Sequence, residues 1–459
     1  MKVVKKIFLL FPLLFMIELI FGFSGTMLII RGVAIRHILF ILTFLSLYGY
    51  FFIYLLKNKI KIFSLDKHSY FGSYSWIDIL AIVFEVSMIL SMTVIPYIMG
   101  TDLHMAYSEV FDSAAIFSLY FPLSYLIKQK EYSIDTILNI LKYLIFLFAI
   151  MHIVFYFGQE FNSVFIQSIF DGISDLFGGN SQAPLVVLGH GGYTRVMFTT
   201  SIYLIVGIYI YLKQIEYNTW YNIVIFVVEI LAIITTVTKS LWFGILIAIL
   251  IYLLMGIIGN KKNKKYLKHI ILSVVLAGIV IILSNIFIFN NIVTIRMENA
   301  FVTETQIIDE EAVEAEDEEA RVQTLDKAGA AESNQIKLEQ AKRLTQKWLQ
   351  APVFGWGYGS YIEDYLRSEE APFSYEMQFF ALLMKIGIAG MAVWAALIIV
   401  LVKRMVQKNI KQDFNKMSSW LFLLLAMMIC VQTNPLLISF TGMSVVLLIV
   451  LISVAYTHE

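Results

Sequence analysis

The stretch LTQKWLQAPVFGWGYGSYIEDYLRSEEAPFSYEMQFFALLMKIGIAG, residues 344–390, decides how the chain is read. A polar helix carrying Lys342, Arg343 and Lys347 runs into a turn where Pro352, Gly355, Gly357 and Gly359 break regular structure. Trp356, Tyr358 and Tyr361 crowd that turn, and a short acidic loop follows. An apolar run then begins with Ser374, Tyr375 and Glu376 in its first turn. The pattern predicts a site at the mouth of a membrane span, with the remaining chain as scaffold.

Composition fixes the class. The chain has 459 residues, 59% of them hydrophobic and 15% charged, and a mean hydropathy of +0.77, far from a soluble domain. An all-α polytopic membrane protein is expected. The formal net charge of zero gives no field that would recruit nucleic acid. Cys430, the only cysteine, allows no disulfide within the chain, and no CxxC or His-rich metal spacing occurs. The basic start MKVVKKIFLLFPLLFMIELIFGF resembles a signal peptide, but its apolar run is too long and lacks a small-residue cleavage site, so it reads as a retained span.

With about 20 apolar residues needed per crossing, roughly twelve spans are expected. They lie near 7–28, 37–56, 76–99, 113–127, 136–158, 194–212, 221–238, 241–258, 269–289, 375–401, 418–434 and 436–456, the fourth being short enough to tilt or re-enter. Three parts result: helices within 1–289 with an amphipathic outer loop at 159–192, a large extracytoplasmic loop at 290–373 containing helices, and the last helices within 374–459. Lysines gather in alternate loops (Lys57, Lys59, Lys61 and Lys67, for example, or Lys261 to Lys268), which places both termini in the cytoplasm. Arg31, Arg36, Arg195, Lys239, Arg296, Arg321, Lys342, Arg343 and Lys347 then fall on the outer side, against the insertion bias. Interfacial snorkelling accounts for any single one. Together, the four at outer helix ends, Arg31, Arg36, Arg195 and Lys239, point to an anionic ligand at the outer leaflet.

Other features admit two readings each. Apolar residues from Phe165 to Phe177 recur at helical spacing, as in a helix lying in the interface. Nine carboxylates between Glu304 and Glu319 suit a divalent metal or simply a solvated charge run, the second being favoured. Residues 334–349 form an amphipathic helix with Ile336, Leu338, Leu344 and Trp348 as contacts. Glu18, Glu85, Glu229 and Lys385 fall inside spans, where they serve either structural pairing or a proton relay in a transporter or flippase.

Several separated stretches resemble one family. QKWLQAPVFGWGYGSY is similar to the helix and glycine-rich element in the last large outer loop of bacterial O-antigen polymerases and O-antigen ligases, the Wzy and WaaL group. Ser374, Tyr375 and Glu376 stand where that group has His-Asn or Ser-x-Glu, and KIGIAG continues the span. TTVTKSLW resembles a junction between two spans, with Thr236, Thr238, Lys239, Ser240 and Trp242 matching. GVAIRHILF around Arg36, TNPLLISFTG at 433–442 and the Arg343 to Gly359 spacing also resemble polymerase elements. Lys239 replaces the usual Arg, losing bidentate geometry while keeping the charge. The missing histidine at the head of the tenth span favours polymerase over ligase.

The resemblance implies glycosyl transfer from undecaprenyl diphosphate at the outer face of a bacterial inner membrane, without metal or cofactor. The partners it implies are a lipid-linked oligosaccharide, membrane lipid, and a chain-length regulator and flippase. Growing charge on a diphosphate leaving group calls for fixed cations: Arg195, Lys239 and Arg343 first, then Arg31, Arg36 and Arg321. The acceptor hydroxyl calls for a base, for which Glu376 is the candidate and His190 the reserve. Trp356, Tyr358, Tyr361 and Tyr375 offer faces for sugar rings. Ligase-type transfer to lipid A core or protein and proton-coupled transport are the alternatives.

Overall fold

A segment in hydrocarbon must satisfy its own backbone groups, and the long Leu, Ile and Phe runs do so as helices. The computed structural model describes residues 2–22, 29–30, 33–64, 66, 69–161, 164–165, 168, 185–188, 193–215, 220–258, 264–302, 318–366, 369, 371–410 and 413–458. The first part contains α1 (Lys2–Phe21), α2 (Ile35–Lys57), α3 (Trp76–Met92), α4 (Val94–Met99), α5 (Leu103–Ser118), α6 (Tyr120–Lys128) and α7 (Ile134–Glu160). It continues with α8 (Tyr203–Lys213), α9 (Trp220–Thr235), α10 (Lys239–Ile258) and α11 (Lys264–Phe287). The outer loop holds α12 (Ile292–Glu298) and α13 (Glu318–Trp348), and α14 (Gln378–Asn409), α15 (Phe414–Cys430) and α16 (Phe440–His458) complete the chain. Two short antiparallel hairpins interrupt the helices: β1 (Ile29–Ile30) with β2 (Val33–Ala34), and β3 (Leu185–Leu188) with β4 (Thr194–Met197).

Among the described residues nine helical stretches are long and apolar enough to cross a membrane, and three shorter apolar helices join them. The molecule is an all-α polytopic membrane protein. Outward apolar side chains such as Leu272, Ile282 and Phe287 are more than half exposed, as expected where lipid replaces water. Polar caps set helix starts: Ser75 and Asp78 form a capping box on α3, and Asp102 accepts from the His104 amide at 2.8 Å on α5.

Three expectations shift. The fourth span is full length, since α5 and α6 run together from Leu103 to Lys128. The polar residues at 102–112 had made its outer half look like loop. Residues 194–197, expected to open the sixth span, form β4 instead, with Arg195 opposite Val187. In α13 the buried face is Ala330, Ala331, Gln340 and Leu344, while Ile336 and Leu338 are exposed. Small side chains allow close approach there, a signal that apolar periodicity misses.

α14 is broken at Gly387, whose φ of 60° and ψ of −170° are non-helical. A continuous helix would pair the amides of Ile388 and Ala389 with the carbonyls of Met384 and Lys385. Instead Ile388 N and Ala389 N donate to Pro352 O and Val353 O at 3.0 and 2.9 Å. Trp356 N and Gly357 N donate to the freed Met384 O and Lys385 O at 2.9 and 2.8 Å. The glycine-rich turn thereby repairs a broken span, and Tyr358 N reaches Ser91 O on α3 at 2.8 Å. A Cβ on Gly387 would run into Val353 O and one on Gly355 into Lys385 O.

Gly387→Ala therefore lowers stability by about 2–4 kcal/mol. Gly278→Ala, where a Cβ meets nothing within 4 Å, is neutral or stabilising by up to about 1 kcal/mol. Thermal unfolding of both variants in one detergent checks the contrast, and equal midpoints contradict it.

Candidate active site

Two groups of polar side chains flank residues 374–376. The first is cationic. β4 presents Arg195 to the turn between α9 and α10, where its Nε donates to Thr236 O at 3.1 Å and its Nη2 lies 3.4 Å from Thr238 Oγ1. That turn holds Val237 at φ 44°, a left-handed conformation rare for a β-branched residue. It carries the Thr236 carbonyl to Arg195 and starts α10 with Lys239, whose Nζ donates to Asn299 O at 3.1 Å.

Arg296 on α12 and Asp326 on α13 pair at 2.6 Å, with Asp326 only 1% exposed. Asn299 Nδ2 and Tyr193 OH also donate to Asp326, at 3.2 and 3.3 Å. Burial pushes the Tyr193 phenol up to about 12. Burial also holds Arg195 below the ordinary guanidinium range, an effect opposed by Tyr193 and Glu376 and reinforced by Arg296. Arg296, Asp326 and Lys337 are the charged groups that act electrostatically on Lys239. Glu376 lies 3.8 Å from Lys337, and its amide donates to Gln340 Oε1 at 2.9 Å. The charged groups that act on Arg195 and Lys239 thus make, with them, four cations (Arg195, Lys239, Arg296, Lys337) against two carboxylates (Asp326, Glu376).

The second group lines a cavity of about 340 Å³ where α2, α5, α14 and α16 begin. Lys385 Nζ pairs with Glu109 and donates to Phe373 O at 2.7 Å, and Glu109 Oε2 accepts from Gly359 N at 2.7 Å. Arg36, 4% exposed, pairs with Glu18 at 2.7 Å. Ser374 and Tyr375 line this cavity, while the next residue, Glu376, acts on Arg195.

The expected residues therefore separate. Arg195, Lys239 and Glu376 act within one electrostatic group, and Arg36 lies in the cavity instead. Arg343 is taken up by Glu339 at 2.7 Å and Asp364 at 2.8 Å, and the Glu339 hydrogen bond raises its pKa. Tyr358 is fully buried and Tyr375 is 1% exposed, its hydroxyl accepting from Ile362 N at 2.7 Å, so both rings pack the loop rather than offering an open face. Trp356 donates from Nε1 to Lys347 O at 2.8 Å, with the Lys347 ammonium over its ring. Lys347 also donates to Tyr361 O, which fixes the Tyr361 backbone. Arg31, His190 and most of the 165–177 and 304–319 stretches lie outside the described residues, as does the Arg321 side chain.

Arg296 was legible only as an outer cation, Lys337 was not singled out, and Glu109 and Asp326 carried no signal at all. Glu109 sits 276 residues from its lysine partner, a separation that no local pattern reports. Removing one member of this buried pair strands the other charge. Lys385→Met accordingly costs about 3–5 kcal/mol, and adding Glu109→Gln restores part of it. A double-mutant cycle on thermal unfolding midpoints reads the coupling, and additive effects of the two changes contradict it.

No curated protein and no solved structure matches the chain. Residues 223–395 match the family model described as O-Antigen ligase. The matched segment runs from α9 into α14 and carries Lys239, Arg296, Lys337, Glu376 and Lys385, while Arg36, Glu109 and Arg195 lie outside it. Over this segment, which is less than half of the chain, the protein is similar to the O-antigen ligase family.

Proposed function

We propose that the protein is a polysaccharide polymerase that moves a growing glycan from undecaprenyl diphosphate to the sugar end of another lipid-linked repeat. The observation that carries this is the gathering of Arg195, Lys239, Arg296 and Lys337 around Asp326 and Glu376. Cations gathered in one place repel one another, and an anion placed among them relieves that cost. A diphosphate fits the chemistry of such a site.

In this reading an acceptor hydroxyl oxygen bonds to the anomeric carbon of the donor sugar. The bond from that carbon to the diphosphate oxygen breaks, and the leaving group takes the electron pair. Glu376 accepts the hydroxyl proton. Arg195, Lys239, Arg296 and Lys337 stabilise the charge that develops on the leaving diphosphate, so no step calls for a metal. In this reading the chemistry lies on the outer face of the bacterial plasma membrane, with both termini in the cytoplasm, an orientation that the positive-inside pattern supports. Lys128, 2.5 Å from Asp78, and Lys213, paired with Asp135, stand at helix ends consistent with that orientation.

Purified protein in liposomes with lipid-linked repeats is expected to yield a ladder of products. Glu376→Gln lowers kcat by roughly 10²–10⁴-fold, the range for loss of a general base. Arg343→Ala, at a half-buried residue shared by two carboxylates, stays within a few-fold. Full activity of Glu376→Gln rules out its role. Label appearing on lipid A core or on protein assigns ligase chemistry instead, and proton-driven uptake without a new glycosidic bond assigns transport.

EDTA is expected to leave the ladder unchanged. A ladder abolished by EDTA and restored by a divalent cation returns the acidic run at 304–319 to consideration and overturns the metal-free step.

A further inference from the structure

The two polar groups differ in charge, and this difference distinguishes two ligands. The cavity presents Arg36 and Lys385 against Glu109 and Asp112, so its lining charge cancels. Each cation also has its own carboxylate partner, Glu18 for Arg36 and Glu109 for Lys385. Glu109 spends its second oxygen on the Gly359 amide. Asp112 differs. It lies 3.4 Å from His37, and its side chain is 37% exposed. Gln378, Ser108, Thr441, Phe373 and Phe440 line the same space.

Such a lining suits an uncharged polyhydroxylated ligand. Carboxylate and amide groups take pairs of hydroxyls, while aromatic walls cover the apolar face of a ring. It does not suit a diphosphate, which calls for excess positive charge. The volume of about 340 Å³ is near the lower end of small-ligand pockets, enough for a short stretch of sugar. The backbone at 374–376 stands between the groups: Ser374 and Tyr375 line the cavity, and Glu376 acts on Arg195. A sugar in the cavity and a diphosphate among the cations would meet on either side of the same three residues.

We infer that this cavity is a subsite for the non-reducing end of the acceptor glycan, an uncharged hexose-type residue whose hydroxyls are bound by Asp112 and Gln378. The assignment of that sugar as an acceptor rests on the polymerase reading, whereas sugar binding by the cavity does not.

The test uses the full-length protein in nanodiscs and two probes. One is the oligosaccharide released by mild acid from lipid-linked repeats of host cells lacking this chain, and the other is undecaprenyl diphosphate. Binding is titrated for the wild type, Asp112→Asn and Ser108→Trp, the last placing a bulky ring from an exposed position in the cavity. Both variants are expected to weaken oligosaccharide binding by roughly 10-fold or more, as for loss of a hydrogen bond to a charged group or of the space itself. Both are expected to bind undecaprenyl diphosphate as the wild type does. Unchanged oligosaccharide affinity in both variants, no oligosaccharide binding by the wild type, or a loss confined to undecaprenyl diphosphate overturns the subsite. Oligosaccharide binding that behaves as expected, in protein that makes no polymer from intact lipid-linked repeats, supports the sugar site and defeats the polymerase reading.

Discussion

The exchange of backbone hydrogen bonds at Gly387 is the interaction on which the rest depends. An unpaired amide or carbonyl at membrane depth costs several kcal/mol, so a span interrupts its helix only where other backbone covers the gap. Here two lost helical bonds are replaced by four to residues 352–357. The break then fixes three things together. It holds the glycine-rich turn against α14, brings Gly359 to the Glu109 carboxylate, and sets Lys385 in the cavity wall. The cavity beside α14 is a consequence of how one transmembrane helix is mended.

The cations fall into two kinds. Arg36 and Lys385 are buried with one carboxylate each, which makes them part of the frame. Arg195 and Lys239 are held chiefly by backbone carbonyls and hydroxyls and have other cations among their charged neighbours. Carbonyl dipoles orient a cation without neutralising it. That distinction, more than the number of basic residues, separates a structural pair from a group suited to receive an anion. The Val237 turn is part of it, since the same strained backbone supplies Thr236 O and launches Lys239.

Membrane class, the number of apolar segments and the importance of residues 344–390 were all legible, because apolar length and glycine clustering are local signals. The helix break was less so: KIGIAG shows two glycines, and only the geometry shows that Gly387 is the one that opens α14. Periodicity misplaced the contacts of α13 because close packing there uses Ala330 and Ala331 rather than large apolar residues. Arg343 looked equal to Arg195 in sequence, since both are outer cations near glycine-rich or polar stretches. What separates them is the company each keeps, Glu339 and Asp364 for one and the Thr236 carbonyl for the other. Glu109 stayed invisible for the reason that long-range ion pairs usually do: neither partner's neighbours in sequence report the other.

The mending of α14 is done almost wholly by main-chain atoms, and this bears on how such a chain can change over generations. Apart from the glycines, which must stay small, the identities of the side chains at 353–358 do not enter those bonds. Mutational drift can therefore reshape the walls around the mouth, while the architecture beneath is inherited intact.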